Sequence, residues 1–321
     1  MNITAFLILV ILLFVLELLY FKVAIKFNIV DKPNQRSSHT GLTIRGGGII
    51  FPLGILLYEL YSGFAYPFFF IGLVIISTIS FIDDIKPASN KLRLFFHLAA
   101  VALIFYQLNL FGMPIYWCLI AFVFIIGSIN AINFMDGING ITGLYGLCTL
   151  SSLLYINAEV VHFIESDLIV VSIFSIVVFL FFNFRIKAKC FAGDVGSVSL
   201  AFIILFLLLE LIIKTKDLSY LMLLLLYGLD TGTTILFRMI RKENIFEAHR
   251  SHFYQYWANE RKISHLIVAA IYAVVQLIIN SLLILIQPLS PLNIVNILMM
   301  STVLFVLIRF YIQGRSELVK R

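Results

Sequence analysis

Residues 130–140 read NAINFMDGING, so two carboxamides (Asn130, Asn133), a carboxylate (Asp136) and Gly137 directly follow the apolar run that ends at Ile129. Such groups are costly in hydrocarbon unless they bind something, although Asn, Asp and Gly also suit a plain helix end. Four more polar islands interrupt apolar stretches. Residues 81–93, FIDDIKPASNKLR, place Asp83 and Asp84 side by side at the end of an apolar run. At a helix's negative pole that pair needs a positive partner, either a divalent ion or one of Lys86, Lys91 and Arg93. Residues 190–197, CFAGDVGS, set Asp194 between Gly193 and Gly196 as the next apolar run begins. This acid can cap a helix, and the small flanking residues also leave room for a metal and a phosphate.

The remaining two islands are basic. Residues 31–48, DKPNQRSSHTGLTIRGGG, combine Arg36 and Arg45 with three successive glycines that permit close backbone approach. The arginines suit a phosphate, or a loop attracted to anionic lipid. Residues 246–255, FEAHRSHFYQ, hold His249 and His252 about one turn apart with Arg250 between them, a set that meets a diphosphate or is simply solvated. Asp230, in YGLDTGTT, reads as half of an ion pair with another helix, and Arg238 lies two turns further on the same face. Oxygen ligands without Cys or His ligand spacing predict a hard ion, Mg2+ or alternatively Mn2+, held partly through substrate phosphates. Phosphoryl transfer needs such a set, because its catalysis is mostly positioning and charge neutralisation.

The elements that must position these groups are membrane helices. Of 321 residues, 61% are hydrophobic and 12% charged, and mean hydropathy is +1.04, which leaves too little polar surface for a soluble fold. The 31 Phe and 14 Tyr suit lipid-facing helices and interfacial belts. Spans of roughly 20 apolar residues fall at about 3–25, 46–62, 66–82, 92–110, 115–132, 138–156, 168–184, 196–213, 219–238, 264–286 and 292–312. The reading is an all-α polytopic bundle of about eleven helices in a single domain, residues 1–321, with no cleavable leader. A net charge of +6 would ordinarily raise nucleic acid as a partner, but the positives sit in short loops, so no nucleic acid is expected. If the first loop is cytoplasmic, all basic residues except Lys214 and Lys216 share its side. That places the N-terminus outside and the C-terminus inside, with all five islands on the cytoplasmic face. Cys118, Cys148 and Cys190 form neither a disulfide framework nor a zinc spacing.

In order and spacing these islands resemble the polyprenyl-phosphate N-acetylhexosamine-1-phosphate transferases of the glycosyltransferase family 4 type. The resemblance runs from about Asp31 to Gln255, and the wording DKPNQRSSHT, RGGG and EAHRSHFYQ is most similar to the O-antigen-initiating branch. It implies a bacterial inner-membrane enzyme in which undecaprenyl phosphate attacks the sugar-bearing phosphate of a UDP-N-acetylhexosamine, often a 6-deoxy sugar, and UMP leaves. By the same resemblance Asp194 and Asn133 are magnesium ligands. Asp83 and Asp84 orient or deprotonate the lipid phosphate, and Asp136 is a further required acid. His249 and His252 lie near the sugar diphosphate, Phe191 stacks on uracil, and Asn139 and Asn183 approach the uridine. The bilayer is the obligate setting, and a homodimer is among the assemblies allowed.

The chain departs from the pattern in several places. Pro87 stands where many members carry a third acid, Arg250 and Ser251 replace the middle of a histidine-rich loop, and Leu42 and Ile44 replace prolines. Asn183 sits one residue further from Asp194 than the pattern expects. The rival reading is an ion-coupled transporter, which would need acids near the bilayer midplane and an internal inverted repeat.

Overall fold

A computed structural model describes residues 3–31, 43–244 and 250–319. His249 and Arg36 lie outside the described residues. The helices are α1 (Ile3–Lys26), α2 (Ile50–Ser62), α3 (Pro67–Ile85), α4 (Asn90–Gln107), α5 (Ile115–Met135), α6 (Ile141–Tyr155) and α7 (Ser166–Asn183). They continue as α8 (Gly193–Thr215), α9 (Leu225–Ile240), α10 (Phe253–Gln255), α11 (His265–Ile286), α12 (Pro291–Gln313) and α13 (Arg315–Val319). Only a two-residue antiparallel pair, β1 (Val30–Asp31) with β2 (Thr43–Ile44), interrupts this pattern among the described residues. The fold is therefore the all-α membrane bundle expected.

Among the described residues, nine helices are long and apolar enough to cross a membrane, and Gly47–Ser62 is a shorter apolar one. Each expected span coincides with a helix. The helix Asn90–Gln107 does not join the nine because Asn90, Lys91, Arg93 and His97 make its first two turns polar. Helix α8 is apolar all round, as a helix surrounded by others must be. It is 78% buried and packs against α2, α3, α5 and α6, whereas α12, at 6%, lies at the periphery.

Near the start of α8 the backbones touch. Residues 44–48 run alongside residues 189–192: Ile44 N–H donates to the Lys189 carbonyl (3.4 Å), Phe191 N–H to Ile44 (2.8 Å), Gly47 N–H to Phe191 (2.8 Å) and Gly48 N–H to Ala192 (3.0 Å). Any Cβ at Gly48 would lie 2.2 Å from Gly196 Cα, which explains why this crossing is built of glycine. The Asn183 carboxamide joins two further loops, accepting from Gly140 N–H (2.7 Å) and donating to the Cys190 carbonyl (2.8 Å).

A Gly48→Val substitution must push two backbones apart and should cost about 2 kcal/mol, seen as a lower thermal unfolding midpoint in detergent. An unchanged midpoint would show that this crossing is not tightly packed.

Candidate active site at one end of the bundle

The C-terminal ends of α3, α5, α7 and α9 and the N-terminal ends of α2, α6 and α8 face the same way, as antiparallel neighbours joined by short loops must. The acids singled out in sequence therefore meet. Asp84, in the last turn of α3, accepts from the first amides of α8, Asp194 N–H and Val195 N–H, both at 2.9 Å. Its Oδ1 also lies 2.7 Å from Arg45 Nε. Helix α8 is thus capped by an acid from another helix rather than by its own Asp194. This cap also explains Gly193, whose φ is +70° and where a Cβ would come 2.5 Å from Asp84 Oδ2.

Freed from capping, Asp194 turns toward Asp83. The two carboxyl groups are hydrogen-bonded to each other. Arg93 Nη1 lies 3.0 Å from Asp83 Oδ2 and 3.7 Å from Asp194 Oδ2, and Ala88 N–H donates to Asp83 at 2.6 Å. The positive partners of the Asp83–Asp84 pair are therefore Arg93, Arg45 and the N-terminus of α8. Three carboxyl groups face two guanidinium groups, and two carboxyls in contact cannot both stay ionised without added positive charge.

Asn133 stands at the end of α5 and accepts from Ser197 Oγ of α8, which places its carboxamide one turn from Asp194. Among the described residues no three His, Cys, Asp or Glu side chains form a ready-made metal cage. The fit is to a hard ion that keeps waters and takes one or two carboxylates plus substrate phosphates. Asp83, Asp194 and the Asn133 carboxamide offer only oxygen toward such an ion.

Asp136 follows α5, half-buried and bonded to Thr142. Burial pushes its carboxyl up to about 6, with Asp84 adding to the rise and Thr142 opposing it. Phe191, half-buried, precedes Asp194 by three residues in the segment that leads into α8. Cys190 beside it is fully buried, and burial holds its thiol well above the usual range, so it offers no thiolate.

Several expected contact residues have structural partners. Asn139 is buried and donates to the Arg185 carbonyl (2.8 Å), while Asn183 is committed to the two loops described above. His252 is 2% exposed rather than solvated, and its Nδ1 lies 3.2 Å from Asp230 Oδ1. Asp230 is a buried hub that also accepts from Phe253 N–H (2.9 Å), Tyr254 N–H (3.3 Å) and the Tyr272 hydroxyl (2.6 Å). Arg238, two turns further along α9, pairs with Glu243 at 3.0 Å, because the chain turns back just beyond α9. Arg250 is exposed and lines a polar cavity of about 110 Å3 with Arg241, Tyr256 and Glu260.

Two residues matter here that sequence reasoning passed over. Arg309 of α12 is 1% exposed and donates to Thr233, Thr234 and the Ser251 carbonyl, all within 2.9 Å, which fixes the entry to the His252 segment. A cation within an apolar helix was the available signal. Tyr254 donates to the Phe134 carbonyl at 3.1 Å and so ties that segment to the end of α5, beside Gly137.

The raised carboxyl of Asp136 has a definite sign. The unfolded chain loses this proton near the ordinary value of 3.8 and the native state only near 6, so the native state holds more protons in that interval and stability falls as pH rises through it. Asp136→Asn should therefore gain stability relative to the parent between about pH 4 and pH 6, with a constant difference above. A difference that does not vary with pH in thermal melts would refute the assignment.

Residues 66–212 match the family model described as glycosyl transferase family 4, a stretch that contains Asp83, Asp84, Asn133, Asp136 and Asp194. A curated relative, the "Probable undecaprenyl-phosphate N-acetylglucosaminyl 1-phosphate transferase" of Bacillus subtilis (strain 168), is 25% identical over 253 residues, covering 73% of this chain and 70% of the relative. These matches bear out the resemblance to the polyprenyl-phosphate N-acetylhexosamine-1-phosphate transferases.

Proposed function

We propose that this protein transfers N-acetylhexosamine 1-phosphate from a UDP-sugar to undecaprenyl phosphate at the cytoplasmic face of a bacterial inner membrane, releasing UMP. The observation that carries this reading is the meeting of Asp83 and Asp194, with Arg45 and Arg93 beside them, at one end of a helix bundle. There a soluble nucleotide sugar can reach a lipid phosphate. An oxygen of the acceptor phosphate attacks the sugar-bearing phosphorus, and the bond from that phosphorus to the oxygen of the UMP phosphate breaks. One diphosphate linkage replaces another, so the step is reversible.

Asp83 orients the acceptor phosphate, and Arg93 and Arg45 neutralise its charge. Phe191 offers a ring for the uracil, and Arg250 a cation for the sugar diphosphate. His249, outside the described residues, precedes Arg250 in the chain and is proposed to meet the same diphosphate. His252 acts through Asp230, holding the segment that presents Arg250, so it is a positioning residue. Mg2+, or Mn2+ in its place, would be held by Asp194 and Asn133 and would supply charge neutralisation at the transferring phosphoryl group. Asn139 and Asn183 shape the nucleotide site through the loops they join.

The Bacillus relative, named for N-acetylglucosaminyl 1-phosphate transfer, makes N-acetylglucosamine the first sugar to test. The O-antigen-like wording of the basic islands makes 6-deoxy N-acetyl sugars the second, with O-antigen initiation as the pathway. The transporter reading has no support in the placement of these acids, which gather at one end of the bundle.

Asp194→Asn should lower Mg2+-dependent UMP release by about 100-fold or more while the protein still folds and inserts. Asp83→Asn should lower kcat far more than it raises KM for the UDP-sugar. Full activity of Asp194→Asn, or equal losses of kcat and affinity in Asp83→Asn, would overturn these roles.

A further inference from the structure

Gly314, at φ +82°, breaks α12 and lets α13 turn back onto the end of α9. A helix of five residues does not persist in water unaided, so packing and capping must hold it. Leu318 is 2% exposed. Arg241 Nη1 donates to the carbonyls of Glu317 (3.2 Å) and Leu318 (3.1 Å), two of the groups that a helix end leaves without partners.

The same guanidinium reaches the segment that carries Arg250. Arg241 Nη2 lies 3.4 Å from Ser251 Oγ, while Glu243 accepts from Nε at 2.5 Å and from Nη2 at 3.3 Å. A planar fork pinned by one carboxylate keeps a fixed orientation, so its other donors set the spacing between α13 and Ser251. Further along, the end of α12 grips the segment: the Tyr256 hydroxyl and Arg261 Nη2 both donate to the Ile312 carbonyl, at 3.2 and 2.9 Å. Asp230 and Arg309 fix Ser251 to Tyr254 from within the bundle. Arg250 lies one residue further out and is exposed. It lines the polar cavity of about 110 Å3 together with Ser251, and Glu317 and Leu318 line the same cavity from α13.

We infer that α13, clasped by Arg241, sets where the segment after residue 249 presents Arg250, which makes Arg241 a positioning residue for the sugar diphosphate. The inference rests on the proposed transferase reading and adds the part of the chain that orients the diphosphate-facing cation. Arg241 touches α13 and Ser251 rather than substrate, so its loss acts on the nucleotide sugar alone. The acceptor site at Asp83, Arg45 and Arg93 is built from other elements.

The test is steady-state kinetics with undecaprenyl phosphate and the UDP-N-acetyl sugar that the parent transfers fastest, joined to hydrogen exchange on the same proteins. Arg241→Ala, and separately removal of residues 315–321, should each raise KM for the UDP-sugar about tenfold, with kcat and KM for the lipid changed less than about twofold. The two changes together should do little more than either alone. Arg241→Lys keeps the charge and a donor but loses the fork, and should raise that KM only about threefold. Amides of residues 250–256 should exchange about tenfold faster in Arg241→Ala and in the shortened chain, and those of α8 at the parental rate. An unchanged KM for the UDP-sugar, additive losses, or an equal loss in KM for the lipid would overturn the inference. Faster exchange confined to residues 250–256, in proteins of which even the parent transfers no sugar phosphate, would keep the clasp and remove the transferase reading.

Discussion

The carboxylate of Asp84 joins two helices end to end. It leaves the last turn of α3, where the helix dipole is negative, and accepts the first amides of α8, where the dipole is positive. Arg45 closes the same junction from the segment that precedes α2. An acid in this position is unfavourable on its own helix and favourable across the gap, so the junction holds only when α3, α8 and residues 44–48 are all in place. The other features of the site follow from that dependence. Because Asp84 caps α8, Asp194 is left unspent in the first turn and faces Asp83.

Around this junction the loops are tied with backbone hydrogen bonds and carboxamides rather than with a rigid sheet. The pairing of residues 44–48 with 189–192 and the double engagement of Asn183 satisfy main-chain groups that would otherwise be orphaned at helix ends. A second buried hub, Asp230 with His252, Tyr272 and the backbone of α10, anchors the segment after Ser251, and Arg309 secures it from α12. Tyr254 links the two hubs through the end of α5. Rigid positioning of this kind is what phosphoryl transfer asks of a protein, since little of its chemistry is covalent.

Much of this arrangement could be read from the chain before its structure. Apolar runs of spanning length mark every long helix, and chain direction alone brings Asp83, Asp136 and Asp194 to one end, because successive spans alternate. What could not be read was the identity of partners. Nothing local distinguishes Asp84 as a cap for a helix 110 residues later from Asp194 as a cap for its own, since both satisfy the same preference for acids at helix starts. His252 read as a diphosphate contact or a solvated loop residue because its neighbours in sequence are polar, and its contact with Asp230, 22 residues away in sequence, could not be read from them. Asn139 and Asn183 looked like ligands for a nucleotide, and the structure employs their carboxamides on backbone that has no other partner in the loops. Arg309 was counted only as one more positive charge at the basic end, although its place within an apolar helix marked it for burial.

The central proposal is that Asp194 of α8 and the Asn133 carboxamide of α5 would hold one ion, beside which Asp83 of α3 orients the acceptor phosphate. A double-mutant cycle in Mn2+ affinity, read by electron paramagnetic resonance on the purified protein with the UDP-sugar bound, tests it most directly. A single site held by both groups predicts that Asn133→Ala with Asp194→Asn weakens Mn2+ binding little more than either change alone, a strong departure from additivity. Independent, additive losses would mean that the two side chains serve separate sites, and the account would fail.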